Sequence, residues 1–198
     1  SGPPGECLRP ESGHWQFREA DAIRSYVGSE ASPGSSARRK ARPDGRFPSG
    51  YDVRKWPDGV TAVIDSVKHA HPMEVLRTAI SALGSFDPEV GDNSRDATLR
   101  KGVRLTAQVA TLVGTHHALR QGRAPTPPDP VLGHAANFLS MVLGAPPSER
   151  AARLMDKDFI LHAEHGSNAS SFTARVVAGT DANLHASITA AMAALSGP

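Results

Sequence analysis

The feature that most constrains this chain is the stretch from Ser94 to Gln121, where Leu99, Val103, Ala107, Ala110, Val113 and Leu119 recur near the helical period without an interrupting proline. A pattern that long cannot sit flat in a sheet, and it predicts a central helix closed by Gly122. The segments around it read the same way. Val60, Val63, Ile64 and Val67 mark one face of a short helix that ends before His69-Ala70-His71-Pro72. Met73 to Gly84 forms a second helix with Val75, Leu76, Ala79, Ile80 and Leu83 as its stripe, and Gly84 is expected to end it. Three further helices are expected over about His134–Leu143, Ser148–His162 and Asn168–Ala178, and a last alanine-rich one over Asp181–Leu195. The run Pro125-Thr126-Pro127-Pro128-Asp129-Pro130 forbids regular structure and reads as a surface connection. No segment alternates as a strand, so the fold class is all-α.

Residues 1–58 differ in kind. They are rich in Gly, Pro, Ser and Arg, and their one local helix candidate is Trp15 to Val27. We read 1–58 as an irregular N-terminal segment and 59–198 as the helical unit. The basic run Arg38-Arg39-Lys40-Ala41-Arg42 reads as a solvated segment, because 22 basic side chains are balanced by 20 acidic ones across the chain and the formal net charge is only +2. A nucleic-acid partner is not expected. No apolar run reaches the length that spans a bilayer, the start lacks the order of a signal peptide, and the single cysteine, Cys7, cannot form an internal disulfide. These readings point to a cytoplasmic protein without a membrane partner.

Polar chemistry is densest in Leu161-His162-Ala163-Glu164-His165-Gly166-Ser167-Asn168-Ala169-Ser170. His162 and His165 are three apart and share a helix face if the helix persists, while Gly166 argues that it ends there. His165 would then stand beside a fresh helix N-terminus, where unsatisfied N–H groups and a neighbouring imidazole suit a small carboxylate ligand. Other roles remain open: His162 follows Phe159, Ile160 and Leu161 and fits a packed core histidine, Asn168 is a good N-cap, and Glu164 suits solvent or a local pair. Zinc is not expected, since the histidines are three rather than four apart and Glu164 adjoins the second of them.

Three motifs in order, His71-Pro72-Met73-Glu74-Val75-Leu76-Arg77-Thr78-Ala79, the His162–Ser170 segment, and Leu184-His185-Ala186-Ser187-Ile188-Thr189-Ala190-Ala191 leading to Ser196-Gly197-Pro198, resemble the citrate synthases of bacteria. The resemblance implies an acyltransferase that condenses acetyl-CoA with oxaloacetate to give citrate and CoA in the tricarboxylic acid cycle, with acetyl-CoA as substrate and no separate cofactor or metal. It implies His165 as an oxaloacetate contact, Asn168 as a nearby polar contact and His162 as a supporting residue. It also implies a homodimer, with the helix opened by His71-Pro72-Met73 and the long helix from Ser94 pairing across a two-fold axis. His134 and Asn137 fall in a further family-like segment, where they are expected to be structural, and His116-His117 takes no family role.

In the family the Gly-Pro pair is followed by Leu-His-Gly-Gly-Ala-Asn. The enol-stabilising histidine of that motif, the general-base aspartate and the small domain are therefore expected beyond Pro198, which leaves no principal catalytic residue in these 198 positions and makes an inactive front portion the expectation. Before residue 58 only Gly50-Tyr51-Asp52-Val53 faintly resembles the family's Tyr-Arg-Gly-Tyr-Asp-Ile-like motif, and the composition there suggests a frameshifted or misassembled start. Two other functions compete: a 2-methylcitrate synthase, which takes propionyl-CoA, and a non-catalytic helical dimerisation protein.

Overall fold

A computed structural model describes residues 57–129, 131–163 and 166–197, and among them it contains seven helices and no strand. These are α1 (Asp58–Val67), α2 (Pro72–Phe86), α3 (Arg95–Arg120), α4 (His134–Leu143), α5 (Glu149–His162), α6 (Ala169–Ala178) and α7 (Leu184–Ala193). The all-α expectation holds. The helix candidate Trp15–Val27, the basic run at 38–42 and the Gly50–Val53 motif lie outside the described residues.

Local chemistry explains most of the boundaries. Pro72 opens α2, and the His71 ring nitrogen Nδ1 accepts from the Met73 N–H at 3.3 Å. Ser94 and Ser148 cap α3 and α5 by accepting from the N–H groups of Ala97 and Ala151. Helix α3 closes in a Schellman turn: the Arg123 N–H reaches the Ala118 carbonyl at 2.9 Å and the Gly122 N–H reaches Leu119 at 3.0 Å. That turn needs the left-handed backbone that Gly122 adopts at φ +69°. Two expected ends move. Helix α2 runs past Gly84 to Phe86, because Gly84 is buried inside the helix against His185 rather than serving as its stop. Helix α7 starts at Leu184 with Asn183 as its cap, not at Asp181, whose φ of +63° is incompatible with a right-handed helix.

The apolar core joins α1, α2 and α3 through Val60, Ile64, Val75, Ala79, Ile80, Leu83, Leu105 and Leu112, and Ile188 and Met192 of α7 pack against it. Each fully buried aliphatic side chain contributes about 1.5–3 kcal/mol relative to exposure, so this cluster dominates the attraction that holds these helices together. The stripe expected on α3 is only partly inside: Ala107 and Ala110 are buried, Val103, Val113 and Leu119 are half-buried, and Leu99 is exposed. Buried polar side chains, Lys101, Arg104, Gln108, Thr111, Thr115 and His116, occupy the rest of the helix surface.

Helix α4 packs on α3, where Gly114 lets the Met141 side chain approach the α3 backbone. The connection over residues 123–133 is pinned by Asn137, whose amide oxygen accepts from the Asp129 N–H at 2.8 Å and whose NH₂ donates to the Leu132 carbonyl at 3.1 Å. Asn137 is thus structural, as expected. His134 also packs, its ring 5.5 Å from that of Phe159, which ties α4 to α5. Helix α5 rests on α4, and α6 and α7 form a hairpin whose α7 limb lies on α2.

Candidate functional site

The densest polar segment of the sequence becomes the junction between α5 and α6. His162 is the last residue of α5, its ring Nδ1 is 2.9 Å from the Asp158 carbonyl oxygen and 3.4 Å from the Asp158 carboxylate, and its side chain is 76% exposed. The core-histidine reading is therefore overturned. No residue of α5 is buried, because the helix meets the body on one side only, through rings such as Phe159 that pack against α4, while the His162 side chain stays in solvent. Glu164 and His165 lie outside the described residues. Gly166 has a left-handed φ of +91°, which glycine adopts without steric cost, and α5 ends at His162, as expected.

Asn168 then caps α6. Its side-chain oxygen accepts from the Ser171 N–H at 2.9 Å and from the Ser170 hydroxyl at 2.7 Å, while its own N–H donates to the Ser171 hydroxyl at 3.0 Å. This reciprocal capping box fixes where α6 begins and holds Asn168 half-buried next to the segment that carries His165. Large apolar side chains are exposed on both flanking helices: Leu161 on α5 is 74% exposed, and Phe172 and Val176 on α6 are 64% and 53%. A shallow groove of about 490 Å³ lies elsewhere, between α1, α2 and α7, lined by Val63, Arg77, Thr78, Ser81, Ser85 and Thr189 among others, and neither His162 nor Asn168 lines it. No group of three or more His, Cys, Asp or Glu side chains suited to a metal ion occurs among the described residues. Among them, too, no helix is long and apolar enough to cross a membrane.

A second polar cluster escaped the sequence reading. Asp87, just after α2, is buried and receives one Arg104 guanidinium nitrogen on both carboxylate oxygens at 2.7 Å. Glu89 bonds Arg104 at 3.1 Å and also pairs with Arg100. Lys101 is fully buried and donates from Nζ to the Glu89 and Asp92 carbonyls. His185 of α7 completes the cluster, with Nε2 3.7 Å from Asp87 Oδ2. Burial alone would raise the Asp87 carboxyl, but the Arg104 and Glu89 hydrogen bonds and the Arg104 charge outweigh it and hold Asp87 below its ordinary range. Burial pushes His185 down, the Asp87 charge opposes this, and Lys101 and Arg104 add to it. Asp87, Glu89, Lys101 and Arg104 meet where the chain passes from α2 into α3, and His185 joins them only through the packing of α7 on α2 and α3, which nothing local in the sequence announces.

The described residues form an all-α body around a long central helix, with His162 at the end of one peripheral helix and Asn168 at the start of the next. A family model described as the citrate synthase C-terminal domain matches residues 40–198. The chain belongs to the citrate synthase family. It is 43% identical over 129 residues to a citrate synthase of Mycolicibacterium smegmatis, covering 65% of this chain and 34% of that one. It is 41% identical over 129 residues to a 2-methylcitrate synthase of Mycobacterium tuberculosis, covering 65% and 32%. Among solved structures, the citrate synthase of Pyrobaculum aerophilum is similar at a TM-score of 0.70 and 37% identity, over 74% of this chain and 39% of that chain. The Thermoplasma acidophilum enzyme, solved as a ternary complex with carboxymethyl coenzyme A and oxaloacetate, reaches a TM-score of 0.75 at 19% identity over 91% of this chain and 46% of that chain, which shows a shared fold. The chain spans between about a third and under half of the length of such curated relatives.

Proposed function

We propose that this chain supplies the helical, oxaloacetate-facing part of a citrate synthase that condenses acetyl-CoA with oxaloacetate, releasing citrate and CoA in the tricarboxylic acid cycle. The observation that carries this reading is the spacing His162, His165, Asn168 at a helix-to-helix junction in a chain of this family. In this reading His165 hydrogen-bonds oxaloacetate, Asn168 adds a polar contact from the capped start of α6, and His162 supports from the end of α5. The reaction demands more than these groups. The α-proton of a thioester is weakly acidic, so its removal needs a positioned base and a donor to the enol oxygen. We assign the enol-stabilising histidine and the aspartate base to sequence beyond Pro198. These 198 residues alone then condense nothing, and citrate formation above the blank from this chain by itself would overturn that assignment. Acetyl-CoA enters as substrate, and no separate cofactor is invoked.

We further infer a cytoplasmic homodimer. Two features support the dimer. The exposed face of α2 carries the small side chains Thr78, Ser81 and Ser85, which permit close approach of another helix, and Leu99, Val103 and Val113 of α3 are left partly or wholly uncovered by this chain's own core.

The experiment is a binding titration on the complete enzyme that carries this segment. A hydrogen bond to a charged ligand group is worth roughly 1.5–3 kcal/mol, so His165→Ala should weaken oxaloacetate about ten- to a hundredfold and leave acetyl-CoA affinity nearly unchanged. His162→Ala should have the smaller effect. Unaltered oxaloacetate affinity in His165→Ala overturns the site assignment. A 2-methylcitrate synthase is the second reading, favoured by the similarity to the Mycobacterium tuberculosis enzyme. Comparing kcat/KM for propionyl-CoA and acetyl-CoA separates the two, and oxaloacetate binding by neither form would leave a non-catalytic dimerisation role.

A further inference from the structure

His185 is 4% exposed, its Nδ1 is buried without a hydrogen-bond partner, and its Nε2 stands 3.7 Å from Asp87 Oδ2, beyond hydrogen-bonding reach. The Asp87 carboxylate already accepts three hydrogen bonds, one on each oxygen from Arg104 and a further one on Oδ1 from the Glu89 N–H at 2.9 Å. On the other side, the His185 stem packs so closely on α2 that a Cβ at Gly84 would lie 3.0 Å from the His185 Cβ. We propose that His185 is a proton-sensitive latch: neutral and buried, it keeps the α6–α7 hairpin docked on α2 and α3, and by taking up a proton from water it favours the undocked hairpin and loosens the capped start of α6 at Asn168.

The charged surroundings decide the direction. Helix α3 presents Lys101 and Arg104 to His185, and the chain after α2 presents Asp87, with Glu89 and Arg100 behind them. The only charged side chains of α2, Glu74 and Arg77, sit in its first half, away from Gly84. Arg175, the only one on α6, is exposed, and α7 carries no charge apart from His185. Asp87 is matched by Arg104, so a proton on His185 would add a third cation beside Lys101 and Arg104 in a site with little water. Because α7 is the limb that touches α2 and α3 while α6 packs on α7, weakening at His185 loosens the hairpin against its remaining ties, the Ile188 and Met192 packing and the Asn93 side chain, which donates to the Asp181 carbonyl at 2.7 Å and carboxylate at 3.0 Å.

The folded histidine is depressed below its ordinary 6.5. The undocked form therefore binds the proton at a higher pH than the docked form does, so docking is at full strength above 6.5 and is lost as pH falls from 6.5 toward the folded value. If the docked state excludes the proton completely, the docked-to-undocked ratio falls about tenfold between pH 7.5 and 5.5.

The test is backbone hydrogen–deuterium exchange on the 198-residue protein at pH 7.5 and 5.5, corrected for intrinsic rates. Peptides within 169–193 should lose up to about tenfold protection at pH 5.5 relative to peptides within 134–162, and His185→Gln should remove that difference. An equal loss in His185→Gln, or no selective loss in the wild type, overturns the latch. Should His185→Gln fail to fold, imidazole C2 hydrogen exchange in the wild type gives the protonation midpoint of His185 directly. A midpoint below 6.5 supports the latch and one at or above it refutes it.

Discussion

Replacing Asp87 with Asn removes one negative charge from the most buried ion pair described in this chain and leaves the shape of the side chain almost intact. Arg104 would keep Glu89 at 3.1 Å but lose the carboxylate that holds it at 2.7 Å on both oxygens, with its own side chain only 10% exposed. Breaking a buried pair from one side costs about 3–5 kcal/mol, because the remaining charge stays desolvated. The surviving Glu89 contact places Asp87→Asn near the lower end, at about 3 kcal/mol. Against a total stability of roughly 5–15 kcal/mol this is a large fraction. Glu89→Gln is the control, since that carboxylate is 28% exposed and a partly solvated pair is worth at most about 1 kcal/mol. Urea unfolding at pH 7.5, followed by helical circular dichroism, should place the midpoint of Asp87→Asn about 1.5 M below wild type for a slope near 2 kcal/mol per M, and that of Glu89→Gln within about 0.5 M. Acid provides a second check. The folded Asp87 carboxyl lies below its ordinary 3.8, so its contribution is present above that value and is lost as pH falls through the lower folded one. Wild type should therefore lose stability below about pH 4 more steeply than Asp87→Asn. Equal urea midpoints for the two variants would refute the account of the Asp87–Arg104 pair as a desolvated, mutually dependent unit.

Gly114→Ala should destabilise by about 1–3 kcal/mol in the same urea assay, because its Cβ would stand 2.6 Å from the Met141 Cβ and α3 and α4 would have to part; a neutral result would mean that the α3–α4 crossing is looser than its geometry. Asn168→Ala should cost about 1 kcal/mol, and because α6 buries no residue the loss should appear as faster amide exchange within 169–178 rather than as a lower global midpoint. The exposed Leu154, Leu161, Phe172 and Val176 predict association of the chain in solution, which Phe172→Glu with Val176→Lys should reduce. Light scattering that finds a stable monomer in the unmodified chain would count against it.

What could be read from the sequence follows from the range over which each cause acts. Helix α4 has the extent expected from the sequence, between Gly133 and a left-handed Gly144, and α5 and α6 lie within a residue of expectation because Ser148 and Asn168 cap them through immediate neighbours. The family pattern was legible for a related reason: His162, His165 and Asn168 are close in sequence, so their grouping does not depend on tertiary packing. Gly84 misled because a glycine can serve either as a stop or as a close-packing point, and only the arrival of His185 from a hundred residues away selects the second. The α3 stripe misled for the complementary reason. Period alone assigns Lys101 and Arg104 to solvent, yet the carbonyls of Glu89 and Asp92 and the carboxylate of Asp87 give both cations partners inside the fold. Once those partners are present, α3 can be buried over most of its circumference without being apolar over most of it. The same arrangement leaves the exposed Leu99 and the half-buried Val103 away from the α1–α2–α3 core, so the apolar cluster supplies the attraction that holds the long helix while the ion cluster satisfies the cations buried along it.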